Sequence, residues 1–231
     1  MPFQMALDEI LLERAKVDAQ RHYENTSLPR PILRFYFSVG QWITVGYSEK
    51  SRGVLQNIPA NGAKVCRRIT GGGRVIHGRD IIFSLIAFKD HDESFKSVRL
   101  SYLKIHEAVK VSLEFLGYRP RVYRCDENLP KGPDCFRFPI ATDLGLGQRK
   151  IAGGAQKRSG KAFLHQESVK LIDGTDPEEL IRAIRRGMEK VFGVRLVAVD
   201  IDPELMEESA ELSQTRYKAE AYHLELIAND L

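Results

Sequence analysis

Cysteine is scarce in this chain: three among 231 residues, an odd number and widely spaced. That speaks against a disulfide framework. No Cys-x-x-Cys and no His-x-x-x-His occurs, so the usual spacings of a metal site are missing. No apolar run approaches the roughly 20 residues of a bilayer span. The first residues lack the basic start, apolar centre and small-residue cleavage site of a secretory leader. Neither sign of charge dominates: Lys+Arg 35 against Asp+Glu 31 leaves +4. That excess is too small to argue for nucleic-acid binding, though it suits an acidic protein partner or an anionic substrate. Repeats and low-complexity tracts are absent. The cytoplasm is the expected compartment, with no membrane and no nucleic acid among the partners.

What is present is an ordinary globular balance, 43% hydrophobic and 29% charged, in a chain long enough to bury a core without staples. Phe3, Leu7, Ile10, Leu11 and Ala15 follow helical spacing over 3–19. Leu33, Phe35, Phe37 and Val39 alternate as in a half-buried strand. Further strands are expected at 42–45, 63–68 and 81–88, with strand-like pieces at 140–146, 149–156 and 162–172. Ser97 caps a helix that Gly117 stops. Asp176-Pro177-Glu178-Glu179 opens another that ends at Gly193. Helices and strands mix without βαβ alternation, which favours an α+β fold with a mainly antiparallel or mixed sheet flanked by helices. We read one domain over 1–231, with a helical tail from about 203 to 231.

Two glycine runs stand out. In Arg67-Arg68-Ile69-Thr70-Gly71-Gly72-Gly73-Arg74-Val75-Ile76-His77, consecutive glycines let a main chain approach a ligand and aim its N–H groups at it. The arginines suit phosphate or carboxylate. A plain hairpin turn with solvated charges is the alternative. The run matches neither a P-loop nor a dinucleotide fingerprint. In Arg149-Lys150-Ile151-Ala152-Gly153-Gly154-Ala155-Gln156-Lys157-Arg158, Lys150 is placed to fix a carbonyl or carboxylate oxygen while Gly153 and Gly154 let the ligand pass; an exposed basic strand is the alternative. Cys135 lies in an expected loop, 15 residues before Lys150, where a thiolate nucleophile is one reading and an inert thiol the other. Cys66 is expected to pack and Cys125 to be structural. His77 and His165 are candidate acids, bases or donors, or satisfied structural residues.

Together these segments resemble the lipoate–protein ligase and protein octanoyltransferase family, with its biotin/lipoate ligase fold. The resemblance covers about residues 3–190. Met5-Ala-Leu-Asp-Glu-Ile-Leu-Leu12, Gly40-Gln-Trp-Ile-Thr-Val-Gly46 and the two glycine runs carry it. It implies transfer of an octanoyl or lipoyl group to the lysine of a lipoyl domain, in 2-oxoacid dehydrogenase E2 subunits or the glycine cleavage H protein. Cys135-Phe136 and Ala155-Gln156 are most like the branch that works through a cysteine thioester, taking the acyl group from acyl carrier protein or a lipoyl protein, with no tightly bound cofactor. That resemblance assigns Cys135 and Lys150 to catalysis. It assigns Arg68, Thr70, Gly71, Gly72, Gly73, His77, Gly153, Gly154, Ala155 and His165 to substrate binding, with no metal. Ile43, Val45, Val75, Ile82 and Ile151 are expected to line the acyl tunnel. Two departures stand. Gly73 is ligase-like, and Glu167 falls where the family reads His-Gly-Ser or His-Gly-Thr. The alternatives are an ATP-dependent ligase using Mg and lipoate, with or without a partner subunit, and a non-catalytic lipoyl-binding module.

Overall fold

The structure is a computed structural model that describes residues 1–21, 29–49, 64–124, 132 and 134–219. Its first helix, α1 (Pro2–Arg21), is followed by β1 (Ile32–Tyr36), β2 (Trp42–Val45), β3 (Lys64–Arg67), β4 (Val75–His77) and β5 (Asp80–Phe88). Then come α2 (Val98–Phe115), β6 (Arg121–Val122), β7 (Leu144–Leu146), β8 (Arg149–Ser159), β9 (Ala162–Lys170), α3 (Pro177–Phe192) and α4 (Pro203–Leu212). Six strands form one sheet in the order β1-β5-β9-β8-β7-β6, every pairing antiparallel. A smaller sheet, β3-β2-β4, pairs β2 parallel to β3 and antiparallel to β4. The expected α+β class holds, with both pairing senses present.

The large sheet is buried on both faces. On β5, Ile81, Phe83, Leu85 and Ala87 enter the cluster that holds Ile105 and Val109 of α2 and Leu180 and Ile184 of α3. Ile82, Ile86 and Phe88 enter the opposite cluster, with Leu7 and Leu11 of α1 and Leu205 of α4. Side chains one residue apart point to opposite faces of a strand, so this one strand ties the two cores together.

Helix ends follow local chemistry. Ser97 Oγ accepts from Leu100 N, and Asp176 Oδ1 accepts from Glu178 N ahead of Pro177. Gly117 and Gly193 terminate α2 and α3 with positive φ, +83° and +64°, which costs a glycine little. Asp8 fastens α1 to the sheet. It is wholly buried, pairs with Arg34, and accepts from Ser84 Oγ at 2.6 Å, Gln166 Nε2 at 2.7 Å and Tyr36 OH at 3.2 Å. The tail docks on α1 through Tyr217 OH to Glu9 at 2.6 Å and Arg14 to Glu208 at 2.9 Å.

Three expectations need correction. The alternation of 33–39 outruns its strand: β1 stops at Tyr36, and Phe37 and Val39 are exposed. Val75–His77, with no strand expected, pairs along β2. Arg67 and Arg68 are buried, not solvated. Arg67 Nη1 donates to the carbonyls of Gly46, Tyr47 and Glu49. No helix among the described residues is long and apolar enough to cross a membrane.

The α2–α3 contact rests on a missing side chain, since a Cβ on Gly187 would land on Ser112 Oγ and the Ala108 carbonyl. Gly187→Val is expected to cost about 2 kcal/mol through overpacking. Thermal unfolding should then shift down by about 4–8 °C.

Candidate active site

Between the two sheets lies a cavity of about 200 Å³. Met1, Met5, Tyr36, Val75, Ile82, Phe138 and Ile140 supply an apolar lining. Arg68, Gly72, Gly73, His77, Cys135, Lys150, Gly153, Gly154 and Ala155 also line it. Nine of the residues singled out by sequence thus share one wall system, although they come from β4, β8 and two loops. Thr70, Gly71 and His165 do not line it. Of the expected tunnel residues only Val75 and Ile82 do. Ile43 and Val45 pack with Val65, and Ile151 belongs to the core under α2.

The first glycine run is a bend folded around Arg68. Its Nη2 donates to the Gly71 and Gly73 carbonyls at 2.6 and 2.9 Å, its Nη1 to Thr44 Oγ1 at 3.2 Å and its Nε to Thr70 Oγ1 at 3.1 Å. The guanidinium therefore shapes the cradle. Thr70 in turn donates to Gln166 Oε1 at 2.7 Å, which anchors the cradle to β9. Gly72 has φ +84°, a conformation that favours glycine. A Cβ placed there would lie 4.0 Å from Cys135 Sγ.

Cys135 sits in a turn closed by Asp134, whose Oδ1 accepts from Phe136 N at 3.0 Å. Cys135 N donates to the Arg74 carbonyl at 3.0 Å, joining this turn to the glycine run. The Phe136 ring carries Lys150 Nζ and Lys170 Nζ at 5.1 and 4.2 Å from its centre, a cation–π arrangement that holds the cysteine turn beside β8 and β9. Cys66 is buried with α1, and burial pushes its thiol up to about 12. Cys125 lies outside the described residues.

Lys150 pairs with Asp143 at 2.7 Å, both nearly without exposure. A Cβ on Gly153 would occupy the space of the Lys150 ammonium, so that glycine makes room for the lysine. Burial pushes the Asp143 carboxyl up, against the pull of Lys150. Behind Gly154 lies a second charged group, built on Glu167 and His165, whose third member, His106, sequence reasoning missed. Glu167 Oε2 accepts from His106 Nε2 at 2.9 Å and from His165 Nε2 at 2.8 Å. Both ring nitrogens of His106 face acceptors, since Nδ1 donates to the Thr142 carbonyl at 2.5 Å, so the ring is an imidazolium. Burial lowers the His106 pKa, but Glu167 outweighs it and the net shift is upward. His165 stays neutral: its Nδ1 faces the Gln156 amide nitrogen at 3.1 Å, and burial lowers its pKa. Burial would raise Glu167, yet the two histidines hold it at about 2.

The donor atoms of His106, His165 and Glu167 lie within 4.8 Å of one another. They have the donor types of a metal site, but two N–H groups converging on one oxygen account for the closeness. Glu167 Oε1 has no hydrogen-bond partner among the described residues, and Glu167 lines the cavity. His165, expected to meet substrate, therefore serves this buried pair instead. Nothing in the local sequence marks His106, Asp143 or Lys170, which reach the site from α2, a loop and the end of β9.

Glu167→Ala would leave the His106 cation unpaired in the core, with an expected loss of about 3 kcal/mol at pH 7, read from denaturant unfolding. The Glu167 share is whole above its unfolded value near 4.5 and is lost as pH falls toward about 2. The His106 share is whole below 6.5 and is lost as pH rises through its raised folded value.

Residues 1–195 match the lipoyl protein ligase A/B catalytic domain. The chain is similar to the octanoyltransferase LipM of Bacillus anthracis, 26% identical over 96% of this chain and 93% of that one. It is 30% identical to the LipM of Moorella thermoacetica, over 84% of this chain and 76% of that one. Among solved structures, a Thermoplasma acidophilum protein with bound lipoic acid superposes with a TM-score of 0.74 at 22% identity, covering 97% and 94% of the two chains. A lipoate-protein ligase A bound with ATP superposes with 0.72 at 21%, covering 92% and 93%. These structures share the fold. With the family match spanning most of its length, this chain belongs to the lipoyl protein ligase A/B catalytic domain family.

Proposed function

We propose that this protein transfers an octanoyl group, or its lipoyl counterpart, from the thioester of acyl carrier protein to the lysine of a lipoyl domain through an acyl-Cys135 intermediate. The observation that carries this reading is the cavity itself, with Cys135 Sγ beside the Gly72 backbone, Lys150 held against Gly153 and an apolar lining that suits a hydrocarbon chain. The names of the LipM relatives support the octanoyl reaction.

In this mechanism the Cys135 thiolate attacks the donor carbonyl. Lys150 with the glycine backbone N–H groups stabilises the oxyanion, and the carrier leaves as its thiolate. The acceptor amine, deprotonated on entry, then attacks the acyl-enzyme. Asp143 keeps the Lys150 ammonium pointed at the cavity. Cys135 has to remain a free thiol between turnovers, which suits the reducing cytoplasm. The mild positive charge favours docking of acidic carrier and acceptor domains, those of 2-oxoacid dehydrogenase E2 subunits and the glycine cleavage H protein. A lipoyl domain accompanies the bipartite lipoate protein ligase of Thermoplasma acidophilum in its own structural description. Residues 1–231 are read as a single catalytic domain, with no tightly bound cofactor.

Incubation with octanoyl carrier protein and no ATP should add one octanoyl mass to the intact protein, sensitive to hydroxylamine and lost in Cys135→Ser. Lys150→Met should slow adduct formation by about 10²–10³-fold. Transfer only when ATP, Mg and free lipoate are supplied, with no adduct, would identify a ligase instead.

A further inference from the structure

One buried constellation on the cavity wall is not used by the steps above. Thr44, on β2, and His77, at the end of β4, are diagonal neighbours on adjacent strands of the small sheet, with Thr44 Oγ1 2.8 Å from His77 Nε2. The other ring nitrogen, Nδ1, lies 2.7 Å from Asp80 Oδ2. All three are buried, and Thr44 and His77 line the same cavity as Cys135.

The polarity of this chain is fixed from both ends. Asp80 Oδ2 accepts from Ser168 Oγ at 2.6 Å, Asp80 Oδ1 accepts from Gly78 N at 3.0 Å, and Lys170 Nζ lies 3.7 Å from Asp80 Oδ2. Burial works against the Asp80 charge, but His77, Lys170 and Ser168 hold its carboxyl well below the usual range. An ionised Asp80 accepts a hydrogen bond from Nδ1–H, which leaves Nε2 as the acceptor. Arg68 Nη1 donates to Thr44 Oγ1 at 3.2 Å, so the Thr44 proton points to His77.

We propose that Thr44, His77 and Asp80 form a proton relay that takes the proton from the acceptor amine as it attacks the acyl thioester. This deepens the proposed transferase and rests on it. A carbon–nitrogen bond forms from the amine lone pair, and the carbon–sulfur bond breaks with its electrons leaving on Cys135 Sγ. The proton released by nitrogen passes to Thr44 Oγ1 while the Thr44 proton moves to His77 Nε2. Asp80 stabilises the imidazolium, which then returns its proton to solvent. The first half-reaction, thiolate attack on the donor, releases no such proton and does not use the relay. Arg68 links the two regions: its Nη1 touches Thr44, and its Nη2 holds the glycine bend that faces Cys135 Sγ.

The groups facing His77 set its pH response. Burial, with Lys170 from β9 and Arg68, lowers its proton affinity, and Asp80 offsets only part of that, so the net shift is downward. A neutral ring at neutral pH is what a proton acceptor requires.

The test separates the half-reactions. Full-length wild type, Thr44→Val, Thr44→Ser, His77→Gln and Asp80→Asn are mixed with octanoyl carrier protein, and adduct formation is timed by intact mass. A lipoyl domain is then added and loss of the adduct is timed. Thr44→Val, His77→Gln and Asp80→Asn should slow discharge about 10²-fold or more beyond whatever they do to loading, the usual size of a general-base contribution. Thr44→Ser should restore discharge, and the acid-side limb of its pH profile should vanish in His77→Gln. Equal loss of loading and discharge would make these residues structural and overturn the relay, as would unimpaired discharge in Thr44→Val. If wild type fails to load at all, the acyl-cysteine reading itself falls. That result is distinct from loading without a discharge defect.

Discussion

Strands β8 and β9 meet through a two-residue turn at Gly160, whose φ is +58°, and the register of that hairpin sets the wall of the site against which the glycine bend, the small sheet and α2 are anchored. Gly153 faces Ser168, Gly154 faces Glu167, Ala155 faces Gln166 and Gln156 faces His165. Because successive side chains leave opposite faces, a slip of one residue would exchange the two sets. Gln166 and Ser168 would lose Thr70 and Asp80, and Glu167 would lose His106. The hairpin can carry this much because β5 and β7 flank it, so its backbone groups are paired on both sides.

Three buried carboxylates near the cavity each meet a cation from another segment. Asp143 meets Lys150, Glu167 meets His106, and Asp80 meets Lys170. Such pairs add little net stability compared with apolar packing, but breaking one strands a charge in the core. They therefore act here as registration devices. A misplaced loop or helix would leave a carboxylate or ammonium without compensation, and the fold discriminates against that arrangement.

Much of this was legible in the sequence where the signal is local. Ser97, Asp176, Pro177 and Gly193 mark helix ends through chemistry within four residues of themselves. The two glycine runs could be found because close backbone approach leaves a compositional trace. What was not legible depends on distant partners. Arg68 reads as a substrate cation, yet its donors are taken by Thr44, Thr70 and the Gly71 and Gly73 carbonyls. Glu167 reads as a departure from the family pattern, and only the arrival of His106 from α2 turns it into a paired ion. Leu33 to Val39 alternates beyond its strand because alternation states what a strand could bury, not where its neighbour ends. β5 shows the converse. Both of its faces are covered, so it reads as a continuous apolar run.

Thr142 joins these levels. It is the one residue other than glycine, among those described, with positive φ, +85°. A β-branched side chain there is strained, and such strain persists only where the surroundings over-determine it. The surroundings are visible. Its carbonyl accepts from the His106 imidazolium at 2.5 Å, and its N–H donates to the Tyr123 carbonyl at 2.9 Å. The next residue, Asp143, grips Lys150. The unusual backbone angle thus converts a buried charge on α2 into an orientation for the lysine on β8. His106 is fixed by Glu167, and Glu167 stands behind Gly154 on the neighbouring strand. Lys150 is therefore aimed by a closed circuit of contacts running through helix, loop and hairpin.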